Sequence, residues 1–269
     1  MKTIASRDNA AYKALAKLAS SAAERRRRGL TVIEGEHLVQ ACLDAGHAVA
    51  QLFVSRSAAA SSQAVVGRAR ERSAVLVELA DPLFDAVSGV ESPAGILAVV
   101  ATPTGRAVPP TAGFCLALED LQDPGNVGTL LRSAAAAGVE HVLLSPTCAF
   151  AWSPKVLRAG QGAHFAVNIV EGADLAGFVA GFEGTSVALC GEAKASIYET
   201  DLRGPVALLV GNEGSGLSPE LETAARVRAR IPMPGRAESL NAGVAGSVAL
   251  FEAVRQRAGS DATQGRGRG

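Results

Sequence analysis

The sequence is poor in aromatic and sulfur-containing residues, and it carries no net charge. Phe, Trp and Tyr make up 4% of its 269 residues, and there are two Met and four Cys. No apolar run reaches the ~20 residues that a membrane-spanning helix needs, and the N-terminus lacks the apolar stretch of a signal peptide. Hydrophobic residues still make up 48% of the chain, enough to bury a real core. These features predict a globular protein without a membrane partner.

The few cysteines and histidines do not indicate a metal site. Cys42, Cys115, Cys148 and Cys190 are far apart and form no Cys-x-x-Cys pair. They are predicted to be buried free thiols, which favours a reducing cytoplasm. The four histidines have no metal-ligand spacing either, so no metal site is expected.

Charge is unevenly distributed along the chain. Residues 1–30 hold eight basic and two acidic side chains, a net charge of +6, whereas residues 108–258 hold 11 basic and 15 acidic ones, a net charge of −4. A basic head on an acidic body indicates contact with a polyanion, although a solvated helix face explains the charge equally well. The basic side chains in question are Lys13, Lys17, Arg25, Arg26, Arg27 and Arg28.

The chain divides near a segment rich in proline and glycine. Residues 102–113 contain three Pro and two Gly, which favours a linker with a boundary near 107–112. The predicted parts are therefore 1–107 and 113–258, followed by a disordered tail over 259–269.

Both parts alternate helices and strands. In the first part this pattern predicts a small α/β sandwich, with strands near 31–33, 51–55, 74–77 and 95–100 and helices near 8–27, 36–45, 57–72 and 81–87. The continuous apolar strands of the second part predict a mostly parallel sheet covered on both faces, with ligands at the carboxyl ends of its strands. Those strands are predicted at 114–118, 141–144, 167–170, 186–190, 206–210 and 227–231, and the helices at 126–137, 153–160, 173–181, 218–224 and 240–257.

A polar loop follows the first strand of the second part. The turn at Asp123 leads to Asn126, a good N-cap for the helix over 126–137. Arg132 lies in that helix among Leu and Ala residues that make it apolar nearly all round. An arginine in such a helix needs an anion or a buried partner, which indicates a functional role; an ordinary surface arginine is the alternative.

A glycine-rich turn follows the apolar run 208–210. Gly211, Gly214 and Gly216 are spaced G-x-x-G-x-G, with the acid Glu213 among them. No Lys-Ser/Thr follows, so this is not a Walker A loop, and no acid follows about 20 residues later, which disfavours a dinucleotide site. Such a turn is by itself more often only a turn. The carboxylate of Glu213 is what indicates a site.

A third polar segment runs from Ile231 to Asn241. Ser239 is predicted to cap the helix over 240–257, and the small residues after Asn241 allow that helix to pack closely.

Together, the three segments resemble the SpoU (TrmH) family of RNA ribose methyltransferases, within the SPOUT class. The matching motifs, in order, are Asn126-Val-Gly-Thr-Leu-Leu-Arg132, Leu209-Val-Gly-Asn-Glu-Gly-Ser-Gly216, and Ile231-Pro-Met233 with Glu238-Ser-Leu-Asn241. This resemblance covers about 113–258. The first part is similar, more loosely, to a substrate-binding domain of ribosomal-protein-type RNA-binding fold that is often fused ahead of it.

The resemblance implies a sheet with a deep trefoil knot, a homodimer, RNA as partner and S-adenosylmethionine as cofactor. The basic head then becomes the candidate RNA-binding surface. The cofactor-binding residues that it implies are Leu189, Gly191, Leu209, Gly211, Asn212, Gly214, Ile231, Met233, Ser239, Leu240 and Ala245.

The implied reaction is methyl transfer to a ribose 2′-hydroxyl, and the residues implied for it are Arg132, Asn126, Glu213, Ser239 and Asn241. The family assigns removal of the hydroxyl proton to Arg132. Because a guanidinium hardly ever deprotonates, we expect Arg132 instead to bind the adjacent phosphate and stabilise the developing alkoxide. Asn126 would hold Arg132 or the ribose, and the other three would order the loops.

Two other functions fit parts of the sequence. One is an RNA-binding protein that kept the fold and lost catalysis; the other is a nucleotide-dependent oxidoreductase, which the glycine spacing disfavours. The separate head favours ribosomal over transfer RNA, since family members acting on transfer RNA often lack it.

Overall fold

The computed structural model describes residues 1–72 and 74–264, and the chain forms two compact units. The first contains Met1–Pro103 with Trp152–Phe165, and the second contains Thr104–Ala151 with the chain from Ala166 onward. The helix expected near 153–160 therefore belongs to the first unit, although the sequence places it in the second part. No helix among the described residues is both long and apolar enough to span a bilayer.

The first unit has a five-stranded mixed sheet in the order β1-β4-β3-β5-β2. Strands β1, β3 and β4 are parallel, and β5 is antiparallel to β3 and β2. The strands are β1 Lys2–Ile4, β2 Leu30–Glu34, β3 Val49–Ser55, β4 Val75–Leu79 and β5 Ile96–Ala101. Its helices are α1 Ala10–Ser20, α2 Ala22–Arg28, α3 Glu36–Asp44, α4 Gln63–Glu71, α5 Asp81–Asp85 and α7 Pro154–Gly160.

The helix expected over 8–27 is two helices that meet at a corner. Ser21 leaves the helical conformation and its hydroxyl accepts a hydrogen bond from the Glu24 backbone N at 3.2 Å. Ser21 and Glu24 are spaced as in a capping box, a start signal that the reading of one long helix overlooked. Leu15 and Leu18 of α1 are buried and face the core of the first unit.

The second unit has seven strands, all parallel, in the order β10-β12-β9-β11-β6-β7-β8. The two central strands, β6 and β11, are buried along their whole length, as continuous apolar runs predict. The strands are β6 Phe114–Leu118, β7 His141–Leu144, β8 Asn168–Glu171, β9 Thr185–Leu189, β10 Ala195–Ser196, β11 Val206–Val210 and β12 Val227–Arg230. Its helices are α6 Pro124–Ala137, α8 Leu175–Gly181, α9 Pro219–Ala224 and α10 Ala242–Gln264.

Three details differ from the sequence-based picture. Strands β1 and β10 are too short to give a pattern, and neither was expected. Helix α10 continues to Gln264, so the expected tail is helical over 259–264, and 265–269 lie outside the described residues. The segment after Pro103 is bound to the second unit, because the Asn168 side chain accepts from Arg106 N at 2.8 Å and donates to Arg106 O at 3.0 Å.

All four cysteines are free. Cys42, Cys115 and Cys190 are buried as predicted, and Cys148 is half-buried. Burial raises the pKa of the Cys115 thiol to about 12 and that of Cys42 to about 11, so both are neutral at pH 7.

Candidate active site

The first motif forms the loop after β6 and the start of α6. Asp123, not Asn126, caps this helix: its carboxylate accepts from the Asn126 backbone N at 2.8 Å, and Pro124 occupies the first turn. Proline is favoured at that position because the missing N–H has no helical partner there. The expected N-cap role of Asn126 is therefore wrong, and its side chain is available for another contact.

That contact is with the acid of the glycine turn. The Asn126 amide Nδ2 donates to Glu213 Oε1 at 2.9 Å, and Asn126 is buried. Since an amide donor beside a carboxylate forms a charge-assisted bond, this pair links the start of α6 to the loop after β11. Asn126 and Glu213, both predicted from the sequence, are thus brought together by the structure.

The glycine loop, defined here as residues 211–217, is a closed turn. Asn212 and Gly216 exchange two backbone hydrogen bonds of 2.9 and 3.0 Å. A Cβ on Gly211 would lie 2.2 Å from the Gly216 carbonyl carbon, and Gly216 has a φ of +71°. Both positions need glycine for the turn itself. A bulkier residue at 211 would therefore disrupt the loop, whatever the loop binds.

The third motif leads into α10. Asn241 Oδ1 accepts from the Val244 backbone N at 3.2 Å, so Asn241 and not Ser239 caps this helix. Gly243 and Gly246 then allow α10 to pack against α6, since a Cβ on Gly246 would lie 2.4 Å from Leu130 Cδ2. The hydroxyls of Ser133 and Ser247 join the two helices at 2.7 Å.

An open cavity lies at the carboxyl ends of β9 and β12, beside the start of α10. It holds about 480 Å³ of empty space, part of which is open to solvent. The structure brings to its wall seven of the expected cofactor-binding residues, Leu189, Gly191, Ile231, Met233, Ser239, Leu240 and Ala245.

Four other expected cofactor residues do not line this cavity. Leu209 is fully buried within β11. Gly211 and Gly214 belong to the closed turn, and both ends of the Asn212 side-chain amide bond other parts of the chain. The lining also includes residues that were not expected to bind the cofactor, namely Cys190, Ala229, Arg230 and Glu238. Arg230 and Glu238 directly precede Ile231 and Ser239, and that adjacency is the signal that could have identified them.

The cavity wall is mainly apolar but carries two opposite charges. Arg230 and Glu238 are exposed, and neither forms a hydrogen bond or ion pair with a described residue. Burial raises the pKa of the Cys190 thiol to about 11, so this lining residue is neutral at pH 7. Such a wall suits a ligand with a flat apolar part and a zwitterionic end.

The surroundings of Arg132 differ from those expected. Helix α6 is not covered all round: Gly125, Thr129, Arg132 and Ala136 form an exposed stripe along it. Arg132 makes no hydrogen bond or ion pair with any described residue, so its guanidinium is free to meet an anion. The expectation that α6 is apolar nearly all round was therefore wrong: of the two expected partners, an anion or a buried group, the accessible guanidinium leaves the anion.

One of the six basic residues expected to bind RNA is not exposed. Arg25 is buried, and its guanidinium Nη1 donates to the carbonyl oxygens of Leu18 at 2.6 Å and Ala19 at 3.0 Å. These carbonyls end α1 and have no helical partner, so Arg25 completes the corner between α1 and α2. Because its guanidinium is used in this way, Arg25 cannot also contact RNA and is not part of the candidate RNA-binding surface. The α1–α2 basic surface is defined from here on as Lys13, Lys17, Arg26, Arg27 and Arg28.

This surface is exposed and partly neutralised. Lys13 pairs with Asp8 at 2.9 Å, and Arg27 and Lys17 lie 2.7 and 3.6 Å from Glu24. The hydrogen bond from Arg27 lowers the pKa of the Glu24 carboxyl. The Lys13–Asp8 pair is exposed on both sides, so it is weak and its lysine easily exchanges Asp8 for a phosphate. The Glu24 carboxyl is buried, so the same does not hold for its pairs with Arg27 and Lys17. Among the described residues, no group of three or more His, Cys, Asp or Glu is arranged to hold a metal.

Comparison with known proteins identifies both parts of the chain. Residues 113–251 match the SpoU rRNA Methylase family, and residues 9–98 match the MRM3-like substrate binding domain. The chain is 33% identical over 254 residues to the 23S rRNA (guanosine(2553)-2′-O)-methyltransferase RlmP of Bacillus subtilis, covering 93% of this chain and 98% of that one. It is 32% identical to rRNA methyltransferase 3B, mitochondrial, of Danio rerio, over 91% and 70% of the two chains.

Solved structures agree over both units. The AdoMet-bound rRNA methyltransferase from Sinorhizobium meliloti has 28% sequence identity and a TM-score of 0.85, over 94% of this chain and 97% of that one. The mixed α/β architecture with its large parallel sheet is thus that of SpoU methyltransferases. With a family match over more than half of its length and a relative of 33% identity along almost all of it, this protein belongs to the SpoU rRNA methylase family.

Proposed function

We propose that this protein is an S-adenosylmethionine-dependent methyltransferase that methylates the 2′-hydroxyl of a ribose in 23S-type ribosomal RNA. The observation that carries the proposal is the cavity beside α10, because seven of the eleven expected cofactor residues line it, from three separate segments. Relatives named as 23S rRNA 2′-O-methyltransferases support the choice of RNA, and one of them matches along almost the whole chain.

The cavity fits the cofactor chemically. Leu189, Ile231 and Leu240 offer apolar surface to an adenine ring, and a Cβ at Gly191 would have no atom within 4 Å, so the wall is open there. Arg230 and Glu238 suit the carboxylate and ammonium of the methionine end. When bound, S-adenosylmethionine supplies the electrophilic methyl group.

The residues of the first two motifs would act on the RNA side. Arg132 would bind the phosphate next to the target ribose and stabilise the oxygen as its proton is lost. The Asn126–Glu213 pair would fix the start of α6 and so the position of Arg132. Asn241, as the cap of α10, and Ser239, in the cavity wall, would hold the third motif in place. Holding the two reactants together supplies much of the rate.

The exposed face of α10 supports a homodimer. Val244 and Phe251 are about half exposed, at 48% and 49%, and Val248 lies between them on the same stripe. This apolar stripe is on the helix that packs against α6, which carries Arg132. We propose that two copies associate through this face. The similarity to SpoU structures is the support for a trefoil knot in the chain.

For the first unit, we propose that the α1–α2 basic surface binds the RNA backbone. Its exposed positive charges suit a polyanion, and the match to a substrate-binding domain over 9–98 supports this role. A protein that binds RNA without methylating it is the second candidate, and it would keep this surface and the cavity.

Methyl transfer from labelled S-adenosylmethionine to purified ribosomal RNA tests the proposal. We expect label at a 2′-oxygen, where the linkage that follows becomes resistant to alkali because no free hydroxyl can attack it. Label on a base would overturn the proposed reaction. Cofactor binding without label in ribosomal or transfer RNA would favour the second candidate.

A further inference from the structure

The side chain of Asn212 is committed to the protein at both ends. Its Oδ1 accepts from the backbone N–H groups of Gly214 at 2.9 Å and Ser215 at 3.1 Å, which closes the glycine loop. Its Nδ2 donates to the carbonyl oxygen of Asp120 at 2.8 Å, across to the loop after β6. The oxygen and one amide N–H of Asn212 are therefore used within the protein, in contrast to its expected role in cofactor binding.

The residue at the far end of this bond has an unusual backbone. Asp120 has a φ of +54°, one of two positive values among non-glycine residues of the described chain. A left-handed conformation is unfavourable for a residue with a Cβ, and it persists where the surroundings hold it. Here the Asp120 backbone N–H donates to Ser145 Oγ at 3.0 Å, and its carbonyl accepts from Asn212. Both backbone polar groups of Asp120 are thus fixed by side chains from neighbouring strand ends.

The segment that Asp120 begins leads directly to the proposed catalytic helix. Glu119 accepts from the Ser218 backbone N at 2.7 Å, and three residues after Asp120 comes the cap of α6, Asp123. The glycine loop and its flank thus hold the first motif at three points, through Glu119, Asp120 and Asn126. The bond from Asn212 is the one that fixes the strained residue.

We infer that Asn212 is a positioning residue: by holding Asp120 in the left-handed conformation, it sets the path of residues 119–126 and so the place where α6 presents Arg132. This inference rests on the proposed methyltransferase function. Asn212 does not line the cavity beside α10, so it acts on the RNA side of the reaction and leaves cofactor binding unchanged.

The substitution Asn212→Asp tests this with little change in shape. It keeps the oxygen that accepts from Gly214 and Ser215, and it replaces the donor to Asp120 by a carboxylate oxygen that repels the carbonyl. We expect kcat for methyl transfer to fall about 10- to 100-fold, as a displacement of about 1 Å can cause. The affinity for S-adenosylhomocysteine, measured by calorimetry, should stay within about 3-fold, since the cavity is not touched.

Asn168→Asp is the matched control. Asn168 bridges the backbone of Arg106 with the same two amide groups, in the same unit but away from the proposed site. Its Nδ2 also lies 2.8 Å from His141 Nδ1. This variant should lose a similar amount of thermal stability while kcat stays within about 3-fold of wild type, because its site is undisturbed. Equal losses of kcat in the two variants would overturn the inference, as would a loss of S-adenosylhomocysteine affinity in Asn212→Asp that accounts for its lower activity.

Two further variants keep the inference testable if Asn212→Asp folds poorly. Ser145→Ala removes the other bond to Asp120 and should also lower kcat without lowering cofactor affinity. Asp120→Gly, added to Asn212→Asp, should restore part of kcat, because glycine adopts positive φ without help. No recovery in the double variant, together with normal kcat in Ser145→Ala, would contradict the inference. Wild-type protein that neither binds S-adenosylhomocysteine nor methylates RNA would instead refute the proposed function.

Discussion

Helices α2 and α6 each carry an arginine whose surroundings are the opposite of what its sequence neighbours indicate. Arg25 lies in a run of four arginines, typical of a solvated face, and is buried with two bonds to the end of α1. Arg132 lies among Leu and Ala residues, typical of a buried face, and is exposed, with no partner among the described residues. The local composition of a helix thus does not decide which of its charges is free; the neighbouring elements do.

The difference has a functional meaning. Arg25 satisfies carbonyl oxygens that would otherwise be unpaired, so its role is structural. Arg132 has nothing within the described chain to bind, so an anion can bind it at no cost in broken contacts. A substitution at Arg25 should therefore lower stability, and a substitution at Arg132 should lower activity. The size of each effect tests the role assigned to that residue.

The largest effect is expected for Arg132→Ala. Loss of one charged donor to the developing alkoxide should lower kcat by about 10²- to 10³-fold or more. The melting temperature should not change, because the side chain is exposed and unpaired. Arg132→Lys keeps the charge without the planar fork and should recover only part of the activity. Turnover close to wild type in the alanine variant would contradict the assigned role.

Arg25→Met should instead lower stability. The loss of the bonds to Leu18 and Ala19 leaves helix-end carbonyls unpaired and should cost about 1–3 kcal/mol in the free energy of unfolding. Urea denaturation measures this loss. Arg28→Met is the control, because Arg28 lies three residues later in the same run and is exposed; this variant should stay within about 0.5 kcal/mol of wild type. If the two variants are equally stable, Arg25 is not the residue that holds the corner.

Replacement of Arg26, Arg27 and Arg28 together by Gln tests the α1–α2 basic surface. The slope of log affinity for RNA against log salt should become shallower by up to ~2 units, at about 0.7 for each single-strand phosphate contact. Cofactor affinity should stay the same, because the cavity lies within the second unit. An unchanged slope would show that this run is a solvated face and would move RNA recognition elsewhere.

The smallest effect is expected at the cavity wall. Arg230→Gln should weaken S-adenosylhomocysteine binding by about 2- to 5-fold, as for an exposed ion pair. Binding of methylthioadenosine should not change, since this molecule lacks the amino-acid end. Arg228→Gln is the control, because Arg228 pairs with Glu222 at 2.8 Å and is outside the cavity wall. Equal losses for both ligands would place Arg230 away from the methionine end.

The sequence predicted features that depend on local pattern. Continuous apolar runs located the strands of the parallel sheet, and the third motif supplied five of the eleven residues of the cavity wall. The expected caps of α6 and α10 were wrong by two or three residues, because Asp, Asn and Ser are all good caps and only the folded turn selects among them.

Features that depend on contacts between distant segments were not predictable. The segment 152–165 follows β7 in the chain yet packs in the first unit, and no local signal marks this. The bond between Asn212 and Asp120 joins residues 92 positions apart. The environments of Arg25 and Arg132 were not predictable for the same reason. Each depends on which carbonyl groups or open surface the fold places beside the side chain.

The most direct test of the central claim is to map 2′-O-methylated riboses in total RNA from cells with and without this protein, and from cells that carry only Arg132→Ala. We predict that one ribose of the large-subunit ribosomal RNA loses its methyl group without the protein and stays unmethylated with the variant. An unchanged set of 2′-O-methyl groups in all three cell lines would contradict the account, as would full restoration by Arg132→Ala.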